Sequence, residues 1–114
     1  MTLNIKILVA VPLIGLNACV APPSSPMEAA ARKAAGAELA AKQCAGYVGG
    51  YEGVRRLRED SNRNIAIARS LGATDAVIQK ARADVQTAFN ATVAFTTQQQ
   101  ACNSIIGELA WATG

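Results

Sequence analysis

The chain has 114 residues, a net charge of +3 and no histidine. This length allows one small domain, and the charge is too small to indicate a nucleic-acid-binding protein. Without histidine, the usual general base and metal ligand is missing. Glu59 and Asp60 are adjacent and would point in different directions on a helix, and no serine lies in a nucleophile-elbow motif. We therefore expect no enzyme, no catalytic residue, no metal site and no cofactor.

The N-terminal segment has the features of a signal peptide. Residues 1–6 carry a single positive charge, Lys6, and residues 7–16 are an unbroken apolar run. A run of ten is too short to cross a bilayer, which needs about 20 apolar residues. It is the usual length of a signal-peptide core, and small residues follow it. The sequence predicts a signal peptide over residues 1–18 and export to an oxidising compartment.

The junction reads Leu16-Asn17-Ala18-Cys19. It resembles the lipobox of the bacterial lipoprotein class, in which a small residue precedes the cysteine that becomes the mature N-terminus. The resemblance implies that Cys19 is acylated and that the lipid holds the protein at the membrane, facing the periplasm, with the outer membrane favoured over the inner. The alternative is ordinary cleavage near Ala18 or Ala21, which leaves a soluble periplasmic protein.

A proline-rich segment, residues 19–26, predicts an extended tether on the lipid anchor. A helix should begin directly after it, because Ser25, Pro26 and Glu28 have the spacing of a capping box with proline at the first position. The alanine-rich sequence that continues to Ala41 forms a helix easily. Alanine buries little area, so we expect packing to hold this helix only weakly.

Four glycines lie within the eight residues Gly46–Gly53. One interpretation is a break that divides the chain into three helices. The other is a continuous helix whose glycines allow a neighbour to approach, which the helical spacing of Tyr47, Tyr51 and Val54 favours. A phosphate-binding loop is disfavoured, because no strand precedes the glycines and no Lys-Ser/Thr pair follows them.

Two further helices are predicted on either side of Gly72-Ala73-Thr74. Gly72 fits a helix C-terminus, and Thr74 fits an N-cap. From Asp75 to about Thr113, apolar residues recur with the 3–4 spacing of a heptad seam. This pattern predicts one continuous helix.

A turn centred on residue 73 predicts contacts between residues whose numbers sum to about 146. These pairs include Ala68 with Ile78, Ile65 with Ala81, Tyr51 with Phe95, and Cys44 with Cys102. Because Cys19 is assigned to the lipid, Cys44 and Cys102 are expected to form a disulfide. The predicted fold of residues 27–114 is all-α: an antiparallel helical hairpin, or a three-helix bundle with a break near Gly46–Gly53, clasped by that disulfide.

Three functions are compatible with these features. The first is a non-enzymatic envelope lipoprotein that acts through protein–protein contact or self-association, in assembly, in secretion or conjugation, or as an inhibitor. The second is a structural protein that binds anionic lipid or cell-wall polymer through exposed arginines. The third is a soluble exported effector or immunity-type protein. The arginines of the second hypothesis, which could equally form a solvated face, are Arg55, Arg56, Arg58, Arg63 and Arg69.

Overall fold

The computed structural model describes residues 22–113, with side chains over residues 22–109. The regular secondary structure of this part of the chain is helical, without strands, so the all-α prediction is confirmed. The predicted signal peptide and Cys19 lie outside the described residues, and no helix among those described is long and apolar enough to cross a membrane. The helices are α1 (Pro26–Gln43), a 3-10 helix (Ala45–Tyr47), α2 (Gly50–Ser70), α3 (Asp75–Phe95) and α4 (Gln98–Thr113).

Helix α1 begins where the capping residues predict. The Glu28 backbone N–H donates a hydrogen bond of 3.1 Å to the Ser25 hydroxyl, and Pro26 occupies the first helical position. The Ser24 hydroxyl donates to the Glu28 carboxylate. The bond to Ser25 satisfies a backbone N–H that would otherwise lack a partner at the helix N-terminus.

Helix α1 is the centre of the bundle. Between Ala30 and Ala41 only Arg32, Lys33 and Glu38 are not buried. Helix α2 packs on α1 more extensively than any other helix does, and α3 and α4 cover other sides of it. The small side chains of α1 let three helices approach it closely. Each alanine still buries little area, so the expectation that packing holds this helix only weakly stays a prediction.

The glycine-rich stretch is a chain reversal, which confirms the break near Gly46–Gly53 and not the continuous helix. Gly49 and Gly50 have φ angles of 90° and 73°, a region that residues with a side chain seldom adopt. A Cβ atom on Gly53 would lie 1.7 Å from the Val48 carbonyl oxygen. The stretch therefore needs glycine for a left-handed turn and for a close backbone contact, and it directs α2 back along α1.

The predicted turn at residue 73 is also confirmed. Gly72 has a φ of 101°, and the Ala73 N–H donates to the Ala68 carbonyl at 2.9 Å. The Val77 N–H donates to the Thr74 hydroxyl at 3.3 Å, so Thr74 is the N-cap of α3. The two capping devices meet in a short link between α2 and α3.

The prediction of one continuous helix from Asp75 to about Thr113 is wrong, because the helix breaks at Thr96 and Thr97. The Thr96 hydroxyl donates to the Thr92 carbonyl at 2.5 Å, and the Thr97 hydroxyl accepts from the Gln100 N–H at 3.1 Å. Threonine hydroxyls compete in this way with helical backbone bonds. The heptad pattern does not reveal the break, because the apolar spacing continues through it.

The hairpin register holds only near the turn between α2 and α3. Ala68, Ile78 and Ala81 share a core cluster there, with Ile65 packed against it, but alanines of α1 complete that cluster. Farther from the turn α2 packs against α1 and not α3. A second cluster surrounds the two cysteines and includes Leu39 and Phe89. The hairpin is thus built around α1, which separates most of α2 from α3.

Candidate functional site

The predicted disulfide is present and buried. The Sγ atoms of Cys44 and Cys102 lie 2.12 Å apart and their Cα atoms 5.5 Å apart. The bond joins the end of α1 to the first turns of α4. Beside it, the Gln98 Nε2 donates to the Gln43 carbonyl at 3.2 Å. This end of the bundle is therefore tied both covalently and by hydrogen bonds.

Three aromatic side chains are exposed at this same end: Tyr47, Tyr51 and Phe95, which we call the aromatic end. Tyr51 is 79% exposed and Phe95 is 87% exposed. The predicted packing of Tyr51 on Phe95 is therefore wrong. Because α1 stands between α2 and α3, neither ring has a core to enter. Exposed aromatic residues concentrated at one place often mark a contact surface.

Three of the five predicted arginines are paired with carboxylates. Arg55 contacts the carboxylates of Glu52 at 2.9 Å and Glu59 at 2.6 Å. The hydrogen bond to Glu52 and the charge of Glu59 raise the pKa of Arg55 above its usual range. Two further pairs follow on α2: Arg63 with Asp60 at 2.7 Å, and Arg69 with Asp75 of α3 at 2.8 Å.

Arg56 and Arg58 make no ion pair with the residues that the structure describes. Both are exposed on α2. Successive residues of a helix are about 100° apart around its axis. Arg56 and Arg58 are two positions apart, so their side chains are separated by roughly 200°. The five predicted arginines therefore form no single charged face, and two unpaired cations project from different sides of α2.

Two carboxylates link α1 and α3 at positions that sequence reasoning missed. Arg82 of α3 contacts Glu38 of α1 at 3.1 Å, and Lys42 contacts the same carboxylate at 3.0 Å. Partial burial raises the pKa of Glu38, but the Lys42 hydrogen bond and the Arg82 charge outweigh it, so the pKa lies below its ordinary value. The second carboxylate, Asp84 of α3, lies 3.6 Å from Arg32 of α1. The hydrogen bond from Lys80 lowers the pKa of Asp84 against a smaller effect of burial. The i, i+4 spacing of Glu38 and Lys42 indicates their ion pair from the sequence alone. The contact of Glu38 with α3 has no such sequence signal.

An open groove of about 540 Å³ lies between α1, α3 and α4. Its walls are mainly apolar, from Val85 and Phe89 of α3 and Ile105 of α4, and some charged side chains also line it. Pro22 and Pro23 contribute to the lining as well. Sequence reasoning missed the groove, because it exists only if the chain turns at residues 96–97 and α4 packs beside α1.

The described part of the chain contains no group of three or more His, Cys, Asp or Glu side chains that could hold a metal ion. No protein-family model, curated protein or solved structure matches the chain. The candidate functional features are thus the aromatic end, the two unpaired arginines and the groove.

Proposed function

We propose that the protein is a non-enzymatic lipoprotein of the bacterial cell envelope that binds a protein partner through its aromatic end. Export rests on the signal-like segment of residues 1–18, and lipid attachment rests on the lipobox-like junction at Cys19. A disulfide between Cys44 and Cys102 agrees with an oxidising compartment, where such bonds persist.

The observation that carries the proposal is the position of the aromatic end relative to the start of α1. Helix α1 has 18 residues and runs from Pro26 to Gln43, a length of about 27 Å at 1.5 Å per residue. Its first residue, Pro26, is the last residue of the predicted tether, and its last residue, Gln43, is next to the disulfide. An anchor at Cys19 would therefore place Tyr51 and Phe95 on the side of the bundle away from the membrane.

The residue types at this end suit a protein contact. Tyrosine and arginine are enriched among residues that dominate binding energy at interfaces. Tyr47 and Tyr51 are exposed, and Arg56, five residues along α2 from Tyr51, is exposed without an ion pair among the described residues. The disulfide limits the movement of the backbone beneath them, which reduces the entropy lost on binding.

Crosslinking in intact cells tests the proposal. The protein carrying Tyr51→Ser and Phe95→Ser is expected to lose crosslinked partners that the unchanged protein captures. A matched control carries Ile67→Ser and Leu71→Ser, which remove exposed apolar side chains near the opposite end and are expected to leave capture intact. Equal capture by all three proteins would reject the aromatic end as the contact surface. An intact mass that shows no lipid on Cys19 would reject the anchor.

Contact with anionic lipid or wall polymer is the second candidate. It is favoured by the exposed, unpaired side chain of Arg56 or that of Arg58, of which only one can face a flat surface because they project from different sides of α2. Each cation near an anionic membrane contributes about 1 kcal/mol. Vesicle binding that falls when Arg56 and Arg58 are changed to glutamine, but not when the paired Arg63 is changed, would support it. Cell fractionation distinguishes both candidates from a soluble exported effector.

A further inference from the structure

The first two described residues, Pro22 and Pro23, are among those that line the groove, and Cys19 is three residues upstream of Pro22. Three residues span at most about 11 Å when extended. A lipid attached to Cys19 would therefore start within a short distance of the groove, whatever path the connecting residues take.

The lining of the groove suits a hydrocarbon chain. Val85, Ala88 and Phe89 line it from α3, and Ile105 and Leu109 line it from α4. Its volume of about 540 Å³ lies within the range of roughly 300–1,000 Å³ that is usual for ligand sites. Apolar walls left in water are unfavourable, and covering them with another apolar group removes that cost.

Among the described residues that line the groove the charges balance, so they would not select an anionic ligand. Arg32 and Lys33 are balanced by Asp84 and Glu108, and Arg32 lies 3.6 Å from Asp84. A free fatty acid would bring a carboxylate to the groove without a surplus cation to receive it. An acyl chain linked covalently to a cysteine brings no such charge, because its carboxyl group is held in an ester or amide.

Gly36 of α1 also lines the groove, in the middle of a helix otherwise rich in alanine. A Cβ atom there would lie 3.7 Å from Leu109 Cδ2 and 3.9 Å from Ile105 Cδ1, which is ordinary contact. Neither a clash nor a left-handed backbone therefore requires glycine, although glycine is a poor helix former. Its missing side chain leaves this part of the groove wider.

We propose that the groove binds one acyl chain of the lipid on Cys19. The inference rests on the proposed lipid anchor and adds a second place for its hydrocarbon. The resemblance to the bacterial lipoprotein class implies three acyl chains on Cys19. Stable anchoring needs two membrane signals, so two acyl chains remain for the membrane when one enters the groove. The acyl chain leaves one apolar surrounding, the bilayer, for another, the groove. It is therefore found in the groove in some molecules and in the bilayer in others.

Photocrosslinking of the lipid tests this. Cells making the full chain are supplied with a fatty acid that carries a diazirine, and the acylated protein is purified, placed in phosphatidylcholine vesicles and irradiated. Peptide mass spectrometry is expected to find the acyl chain joined to α3 near Ala88 and Phe89 or to α4 near Ile105, besides vesicle lipid. Crosslinks to vesicle lipid alone, or to the groove of a second copy, would overturn the proposal.

Ala88→Phe places a large side chain in the groove and is expected to remove most crosslinks to α3 and α4. Ala83→Phe adds the same side chain at an exposed position of α3 outside the groove, and it should leave them unchanged. Thermal melting checks that both variants fold, and Gly36→Leu provides a second block from α1. If the intact mass shows no acyl group on Cys19, the anchor itself fails, which differs from an acylated protein whose chain avoids the groove.

Discussion

Cys44 and Cys102 are bonded although 58 residues separate them, and both side chains are fully buried. Closing a loop of this length stabilises the folded chain by about 4 kcal/mol, through the entropy removed from the unfolded state. A domain of this size with many alanines in its core has few large apolar side chains to stabilise it. The bond is therefore expected to be a major contribution to its stability.

Replacing both cysteines by alanine should lower the free energy of unfolding by about 4 kcal/mol, measured by urea denaturation. Cys44→Ala alone and Cys102→Ala alone should each cost about as much as the double variant, because either change removes the same bond. Clearly smaller losses in the single variants would contradict this. Before any mutation, thiol titration of the unfolded, unreduced protein should find neither Cys44 nor Cys102 free.

Gly53 and Gly46 provide a matched pair in the chain reversal. Gly53→Ala should destabilise the protein by several kcal/mol, because the added Cβ would lie 1.7 Å from the Val48 carbonyl oxygen and the backbone must move. Gly46→Ala meets no atom within 4 Å, and a compatible change of this kind stabilises by about 0.4–1 kcal/mol. Thermal melting of both variants measures the difference, and equal melting temperatures would contradict the close contact.

Acid should weaken the link between α1 and α3. The pKa values of Glu38 and Asp84 are lowered in the folded protein. Their stabilisation is therefore complete above the ordinary carboxyl pKa of about 4 and is lost as the pH falls through the lowered values. The melting temperature should be nearly constant from pH 7 to about 5 and decrease below that.

Glu38→Gln isolates one part of this acid effect. The variant should melt at a lower temperature than the unchanged protein at neutral pH, because the ion pairs with Arg82 and Lys42 are weakened, and the two should converge in acid. Glu108→Gln is the control, since Glu108 is exposed and forms no ion pair with the described residues. If the difference in melting temperature between Glu38→Gln and the unchanged protein were the same at every pH, the stabilising role of the ionised Glu38 would be contradicted.

The sequence predicted what local chemistry determines. Ser25, Gly72 and Thr74 act as caps or turn residues at the predicted positions, because each acts on backbone groups within a few residues. The partner of each helix was harder to predict. The heptad pattern shows that one side of a helix is apolar but not which helix covers it, and alanine gives little preference between neighbours.

The aromatic end and the groove were missed for the same reason. Tyr51 and Phe95 would pack on each other only if α2 packed on α3. Instead, α1 lies between α2 and α3 along most of their length, and both rings are exposed. The disulfide was predicted correctly because its two cysteines are near one end of the bundle in either arrangement. Residues whose contacts depend on helix order could not be placed from one sequence.

The break at Thr96 and Thr97 can be tested through its cap. Thr97→Ala removes the hydroxyl that accepts from the Gln100 N–H at 3.1 Å, and the loss of an N-cap of this type costs about 1 kcal/mol. In a domain of this size that lowers the melting temperature by about 4–8 °C. Thr87→Ala, at an exposed position within α3, should be neutral or slightly stabilising, because alanine is the better helix former. If Thr97→Ala were equally neutral, α4 would not depend on this cap, and the continuous helix predicted by the heptad pattern would again be favoured.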